Sequence, residues 1–163
     1  DYLDEHIREM PGIHLLPRDP RHNIRSQYRY IIKIDPEFFN CEHEVFCYAL
    51  SGEGVPVDTG YPAMNRYELF QPALSKLPVP TAFPEYFDFD NMSLPVTERA
   101  SQVESVWMGE SIFRSGQAGV DDLIKALQKL TENRDGLMRL AKIRDEMLKE
   151  YGRVDFEKMP DHF

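Results

Sequence analysis

Three polar side chains fall close together in the stretch Gly60-Tyr61-Pro62-Ala63-Met64-Asn65-Arg66. A tyrosine, an asparagine and an arginine supply an aromatic ring with a hydroxyl, an amide that both donates and accepts, and a fixed fork of N–H donors. Gly54, Pro56, Gly60 and Pro62 stiffen the backbone of the wider stretch from Glu53 to Tyr67. Stiff backbone with adaptable polar tips is what a binding loop needs, and the same residue types also serve simply to turn a corner. A second candidate cluster is Cys41, His43 and Cys47. His43 and Cys47 share a helix face at i, i+4, as a pair of metal ligands can. A structural zinc site wants four ligands, however, and no second pair lies nearby. No metal is therefore expected: Cys47 reads as a small apolar core residue and Cys41 as a residue near a helix start.

Other catalytic signatures are missing. The spacing of Gly52, Gly54 and Gly60 fits neither a dinucleotide fingerprint nor a phosphate loop, and no Gly-Lys-Ser/Thr occurs. Neither a Gly-x-Ser-x-Gly elbow nor a His-Glu-x-x-His helix is present. Glu42 with Glu44 and Asp88 with Asp90 form acidic pairs, but nothing distinguishes a general acid among them, and they read as solvated. No residue of the chain is assigned a catalytic role.

The 163 residues suit one domain, and 42% hydrophobic with 29% charged residues is an ordinary globular composition. The net charge of -9 argues against a nucleic-acid surface. That charge is concentrated: residues 28–133 carry eight basic and sixteen acidic side chains, whereas 1–27 and 134–163 are close to balanced. No apolar run is long enough to span a bilayer, and no signal segment opens the chain. Two cysteines make no disulfide framework, so a cytoplasmic setting is expected. The chain does not begin with Met, which suggests a fragment or a processed product.

The elements that must position the loop follow from periodicity. Residues 1–10 place Tyr2 or Leu3, Ile7 and Met10 on one helical face, stopped by Pro11-Gly12. Ile13 to Leu16 is expected as a short edge strand, followed by a turn-rich run from Pro17 to Ser26. Tyr28 to Ile34 alternates as a half-buried strand, with Tyr28, Tyr30, Ile32 and Ile34 inward. A helix is expected from Cys41 or Glu42 to Leu50, then a strand from Val55 to Thr59. Gly60 to Pro95 reads as a long ordered loop whose aromatics (Tyr67, Phe70, Phe83, Tyr86, Phe87 and Phe89) pack on a neighbouring surface or on one another. Pro95 opens a helix with Thr97 as its N-cap and Ala100, Val103 and Trp107 inward, Trp107 reading as core. Glu104 to Met108 turns into a strand running toward Phe113. Gln117 to Leu130 is amphipathic, a further helix begins near Arg134, and the last dozen residues are expected to be loosely structured. The order predicts an α+β fold, a small sheet of three to four strands with helices on one face.

In that order the segments resemble the C-terminal small domain of the DegT/StrS-type sugar and cyclitol aminotransferases, pyridoxal-phosphate enzymes of the aspartate aminotransferase fold. Tyr28-Arg29-Tyr30-Ile31-Ile32-Lys33-Ile34-Asp35 looks like the family's strand into the small domain. Ala49-Leu50-Ser51-Gly52-Glu53-Gly54-Val55-Pro56-Val57 looks like its helix stop and next strand. Gly60 to Arg66 stands where the family has an aromatic, proline-bearing substrate loop. Glu98 to Met108 and Gly119 to Leu127 look like its late strand and closing helix. The Gly-Tyr-Pro form, without a histidine, is closer to the branch that aminates a keto-cyclitol from glutamine.

The resemblance implies that residues 1–133 are the small domain and 134–163 a C-terminal helical extension. It implies transfer of an amino group from glutamine or glutamate to a keto-sugar or keto-cyclitol, and a homodimer. Tyr61, Asn65 and Arg66 would contact substrate: Tyr61 the ring, Asn65 a hydroxyl, Arg66 the donor's carboxylate. Pyridoxal 5'-phosphate would belong to the full-length enzyme and its large domain. Lys33, Lys76, Lys125 and Lys129 do not resemble the cofactor lysine, so the chain alone is expected to bind no cofactor. The competing reading is an autonomous α+β binding or regulatory module that uses the aromatic loop on a protein partner.

Overall fold

The computed structural model describes residues 1–24, 28–87 and 91–160, so Ser26, Asp88, Phe89 and Asp90 lie outside the described residues. Four antiparallel strands, β1 (Ile13–Leu15), β2 (Arg29–Ile34), β3 (Val57–Asp58) and β4 (Ser105–Gly109), form one sheet in the order β1-β2-β4-β3. Helices α1 (Tyr2–Arg8), α2 (Pro36–Phe39) and α3 (His43–Gly52) precede β3. The short α4 (Pro78–Ala82) and α5 (Pro95–Arg99) lie between β3 and β4, and α6 (Ser111–Arg114), α7 (Gly116–Glu132) and α8 (Arg134–Tyr151) follow β4. The α+β class and the short edge strand β1 match the sequence pattern.

Alternation sets the two faces of the sheet. Tyr30, Ile32 and Ile34 point to the core, where they meet Ile13 and Leu15 across one strand pair and Met108 and Val106 across the other. The apolar stripes of α1 (Leu3, Ile7), α3 (Val45, Phe46, Ala49, Leu50) and α7 (Val120, Leu123, Ile124, Leu127, Leu130) complete that core. Arg29, Ile31 and Lys33 of β2, with Trp107 of β4, belong to the opposite face and are only half-buried.

Several elements differ from the sequence expectation. β2 begins at Arg29, and Tyr28 is exposed with the Arg29 guanidinium over its ring at 5.2 Å. Asp35 does more than end the strand: its carboxylate accepts from the Glu37 and Phe38 N–H groups and starts α2. Of the stretch from Val55 to Thr59 the strand keeps only Val57 and Asp58, with the Pro56 carbonyl beside them accepting from the Gly109 N–H at 3.4 Å. β4 stops at Gly109, opposite Arg29, and Phe113 sits on α6. Thr97 is not the cap of α5; Leu94 holds that position ahead of Pro95. The aromatic residues after Gly60 form no local core among the described residues: Phe83 and Tyr86 touch at 6.2 Å, yet both are exposed.

The C-terminal segment is tied down more firmly than expected. Leu137 and Leu140 of α8 are fully enclosed in the same core as the sheet. Arg144 bridges α8 to Glu42 beside α3 at 3.1 Å. Met159 is buried, and the Tyr48 hydroxyl donates to its carbonyl at 3.2 Å. Leu137→Ala should therefore lower the unfolding free energy by about 2–5 kcal/mol. Val96→Ala, at an open surface position, should change it by less than about 0.5 kcal/mol. Chemical denaturation of both variants measures the difference, and equal midpoints would separate α8 from the core.

Candidate functional site

The loop after β3 is fixed by a glycine against a tryptophan. Gly60 has φ +76°, and a Cβ at that position would lie 2.4 Å from the Trp107 ring. The Asp58 carboxylate accepts from the Gly60 N–H at 2.9 Å, closing the turn out of β3. Tyr61 then meets Trp107 edge-on, with ring centroids 5.5 Å apart and planes at 83°. Trp107 is thus a half-buried residue of β4, opposite Ile31 and Asp58, and not the core residue of a helix that its spacing suggests. It is the floor under the loop, and Tyr61 remains 63% exposed above it.

Asn65 and Arg66 lie in a 3-10 turn, Met64–Arg66, and both point at one carboxylate. Glu98 Oε1 accepts from Asn65 Nδ2 at 2.8 Å, from Arg66 Nε at 3.0 Å and Nη2 at 2.8 Å, and from the Leu94 N–H at 3.3 Å. Together these donors hold the Glu98 carboxyl below the usual carboxylate range, the Asn65 amide first among them. Glu98 itself belongs to α5, whose first free N–H is the one on Leu94. One side chain therefore caps α5 and clips the loop to it. The sequence pattern missed this residue, although an acid in the first turn after Pro95 was a readable sign.

A carboxylate only accepts, so the Asn65 amide nitrogen must face Glu98. Asn65 Oδ1 is consequently turned inward, buried and without a hydrogen-bond partner. Such an acceptor destabilises by about 1–3 kcal/mol when nothing donates to it. The structure brings Asn65 and Arg66 together at Glu98, with Tyr61 on Trp107 beside the same turn. A cleft of about 680 Å³ between α1, α6 and α7, lined by Tyr2, Tyr30, Phe113 and Val120, includes none of these three residues.

A second ionic cluster secures the other end of the long excursion from β3 to β4. α5 passes into a π-helical turn, Ala100–Glu104, before β4 begins. Glu104 is buried and pairs with Lys33 Nζ at 2.8 Å and Arg99 Nε at 2.9 Å. Burial pushes its carboxyl up, but the two cations outweigh that and the net displacement is downward. Beneath the turn, His43 is buried on α3 with its Nδ1 2.8 Å from the Ser105 carbonyl. Burial holds its imidazole below the usual 6.5 despite that hydrogen bond and the nearby Glu44 and Glu42.

Cys41 and Cys47 are free and buried, and burial pushes both thiols up to about 12. Cys47 Sγ donates to the Asp58 carbonyl at 3.5 Å, the behaviour of a core thiol. Among the described residues no group of three His, Cys, Asp or Glu side chains converges as metal ligands would, and no helix is long and apolar enough to cross a membrane. Lys33, Lys125, Lys129 and Lys158 are each paired with a carboxylate, and Lys76 is exposed on the excursion.

No family model matches the chain. Three curated relatives are similar to it, each provisionally named L-glutamine:3-amino-2,3-dideoxy-scyllo-inosose aminotransferase. The protein from Micromonospora echinospora is 29% identical over 143 residues, 85% of this chain and 34% of the relative. That from Streptoalloteichus tenebrarius is 32% identical over 123 residues, 73% of this chain and 30% of the relative. That from Streptomyces kanamyceticus is 31% identical over 122 residues, 71% of this chain and 28% of the relative. The chain spans about a third of the length of the curated relatives it matches. It is related to part of an aminotransferase.

The buried titrating groups give the fold an acid limit. An imidazole held below 6.5 in the folded chain takes its proton more readily when unfolded, so stability is full above 6.5 and falls as pH drops below it. Glu104 adds a loss of the same sign as pH falls through and below 4.5, where the unfolded carboxyl protonates first. Urea midpoints should decline in those two stages, and His43→Gln should flatten the upper one. A midpoint that rises on acidification would contradict both assignments.

Proposed function

We propose that this chain is the C-terminal small domain of a DegT/StrS-type, pyridoxal-phosphate-dependent aminotransferase of the aspartate aminotransferase fold. Its substrate class is a keto-cyclitol, with glutamine as amino donor. The observation that carries this reading is the similarity over 71–85% of the chain to three proteins sharing one glutamine:aminocyclitol aminotransferase name. The α+β sheet, with a polar loop set beside Trp107, supports it. In this reading residues 1–133 are the small domain and 134–163 its helical extension. The enzyme is a cytoplasmic homodimer, and Tyr61, Asn65 and Arg66 form one wall of the substrate pocket.

In this reading the cofactor is held by the part of the enzyme outside this chain, which spans about a third of the relatives it matches. When bound there it supplies the electron sink for moving the amino group. This chain's side chains bind and orient the substrate ring. A second reading, a protein-binding module, is favoured by the exposed Leu69, Leu74, Val79, Phe83 and Tyr86 of the excursion.

The 163-residue chain mixed with pyridoxal phosphate should show only the spectrum of free cofactor. Strong Schiff-base absorbance that disappears on replacing Lys33, Lys76, Lys125 or Lys129 would place a cofactor lysine in this chain and overturn the reading. An open frame upstream of the Asp1 codon encoding a lysine-bearing large domain would support it, and a start signal at Asp1 would favour the second reading.

A further inference from the structure

We infer that Glu98 is a specificity-determining residue: it masks the charge of Arg66, so that this arginine takes no carboxylate from a ligand and the loop is left to meet an uncharged or ammonium-bearing polyhydroxylated ring. The inference rests on the reading that the loop from Gly60 to Arg66 lines the substrate pocket. By types alone, Arg66 would hold a carboxylate such as the donor's. In the structure its guanidinium already has one, through two N–H groups on Glu98 Oε1 at 3.0 and 2.8 Å. Glu98 is not free to leave without loss elsewhere, because the same oxygen takes the Asn65 amide and the first N–H of α5. An incoming carboxylate must therefore displace two Arg66 N–H groups from an oxygen that the Asn65 amide and the Leu94 N–H hold in place beside them.

The surroundings act in the same direction. Residues 28–133 carry twice as many acidic as basic side chains, and such a field repels anions and attracts ammonium groups. Other cations of the sheet and of α5 are committed as well: Arg29 faces Asp58 at 3.6 Å, and Lys33 and Arg99 share Glu104. A bare arginine would repel an amino group on the ring, whereas the neutral Arg66–Glu98 pair does not. What the loop presents to a ligand is the Tyr61 ring and hydroxyl beside that neutral pair.

The experiment uses the 163-residue chain and glutarate as anionic probe, followed by amide NMR titration at low ionic strength. Neither pyridoxal phosphate nor turnover enters the readout, so the aminotransferase reading can fail while this one stands, and the reverse. Wild type should show no Arg66-dependent shifts. Glu98→Gln keeps the shape but removes the charge, and should bind glutarate at least about tenfold more tightly, since a charge-assisted arginine pair becomes available. Adding Arg66→Met to that variant should abolish the gain. Arg66-dependent glutarate binding by wild type, or no gain in a folded Glu98→Gln chain, would overturn the inference.

A second measurement needs no substitution and so survives a variant that fails to fold. Phenylglyoxal labelling of wild type, mapped by mass spectrometry, should modify Arg66 more slowly than the exposed Arg139. Equal rates at the two positions would overturn the mask as well.

Discussion

The pairing of β2 with β4 is the constraint on which the rest of this molecule depends. With Ile32 opposite Val106 and Tyr30 opposite Met108, four apolar side chains enter the core together. The same register sends Ile31 and Trp107 to the other face as a pair. A slip of one residue would exchange the two sets, exposing the core residues and burying Lys33 and Arg29. It would also remove the floor on which Gly60 and Tyr61 rest. Core and candidate site are therefore not separate achievements of the sequence. They are the two faces of one ladder, and the hydrophobic demand of the first fixes the second.

Between β3 and β4 the chain makes a long excursion with few buried residues, and its order comes from two carboxylates. Glu98 joins the beginning of the excursion to the start of α5, and Glu104 joins its end to Lys33 on β2. An exposed ion pair contributes little, but a carboxylate that collects several donors at once behaves differently. Each carboxylate here fixes more than one segment, so geometry is determined where apolar burial is not available to determine it. The segment between the two clips, including Leu69, Leu74, Phe83 and Tyr86, is left facing outward.

What could be read from the sequence follows the same division. Period-2 and period-3.6 patterns give β2, α3, α7 and the core face of α1, because burial selects residue types at those spacings. The turn that carries Tyr61, Asn65 and Arg66 was also legible, since glycine and proline announce it. Their partners were not. Nothing in a pattern of types links Asn65 to Glu98, thirty-three positions on, because a hydrogen bond across an excursion leaves no period. Trp107 was misjudged for a related reason. Large aromatics are usually core, and only the strand register shows that this one faces the loop. The short α2 and the docked Met159 depend on single contacts, an aspartate cap and a tyrosine hydroxyl, which composition does not reveal.

The loop is held rigidly but enclosed on one side only. Gly60 fits against Trp107 with no room for a side chain, which places Tyr61 within narrow limits. Asn65 is placed as narrowly by Glu98, at the expense of an orphaned acceptor. Strain of that kind persists where the surrounding structure over-determines a conformation, and here the determinants lie beneath the loop rather than above it. A binding wall needs such support from behind, because specificity requires polar groups that do not rearrange to suit each ligand. It also needs a facing wall to exclude water, and a tyrosine left 63% exposed lacks one within these residues. The loop is thus preorganised from beneath and open above, in a chain that spans about a third of the length of the relatives it matches.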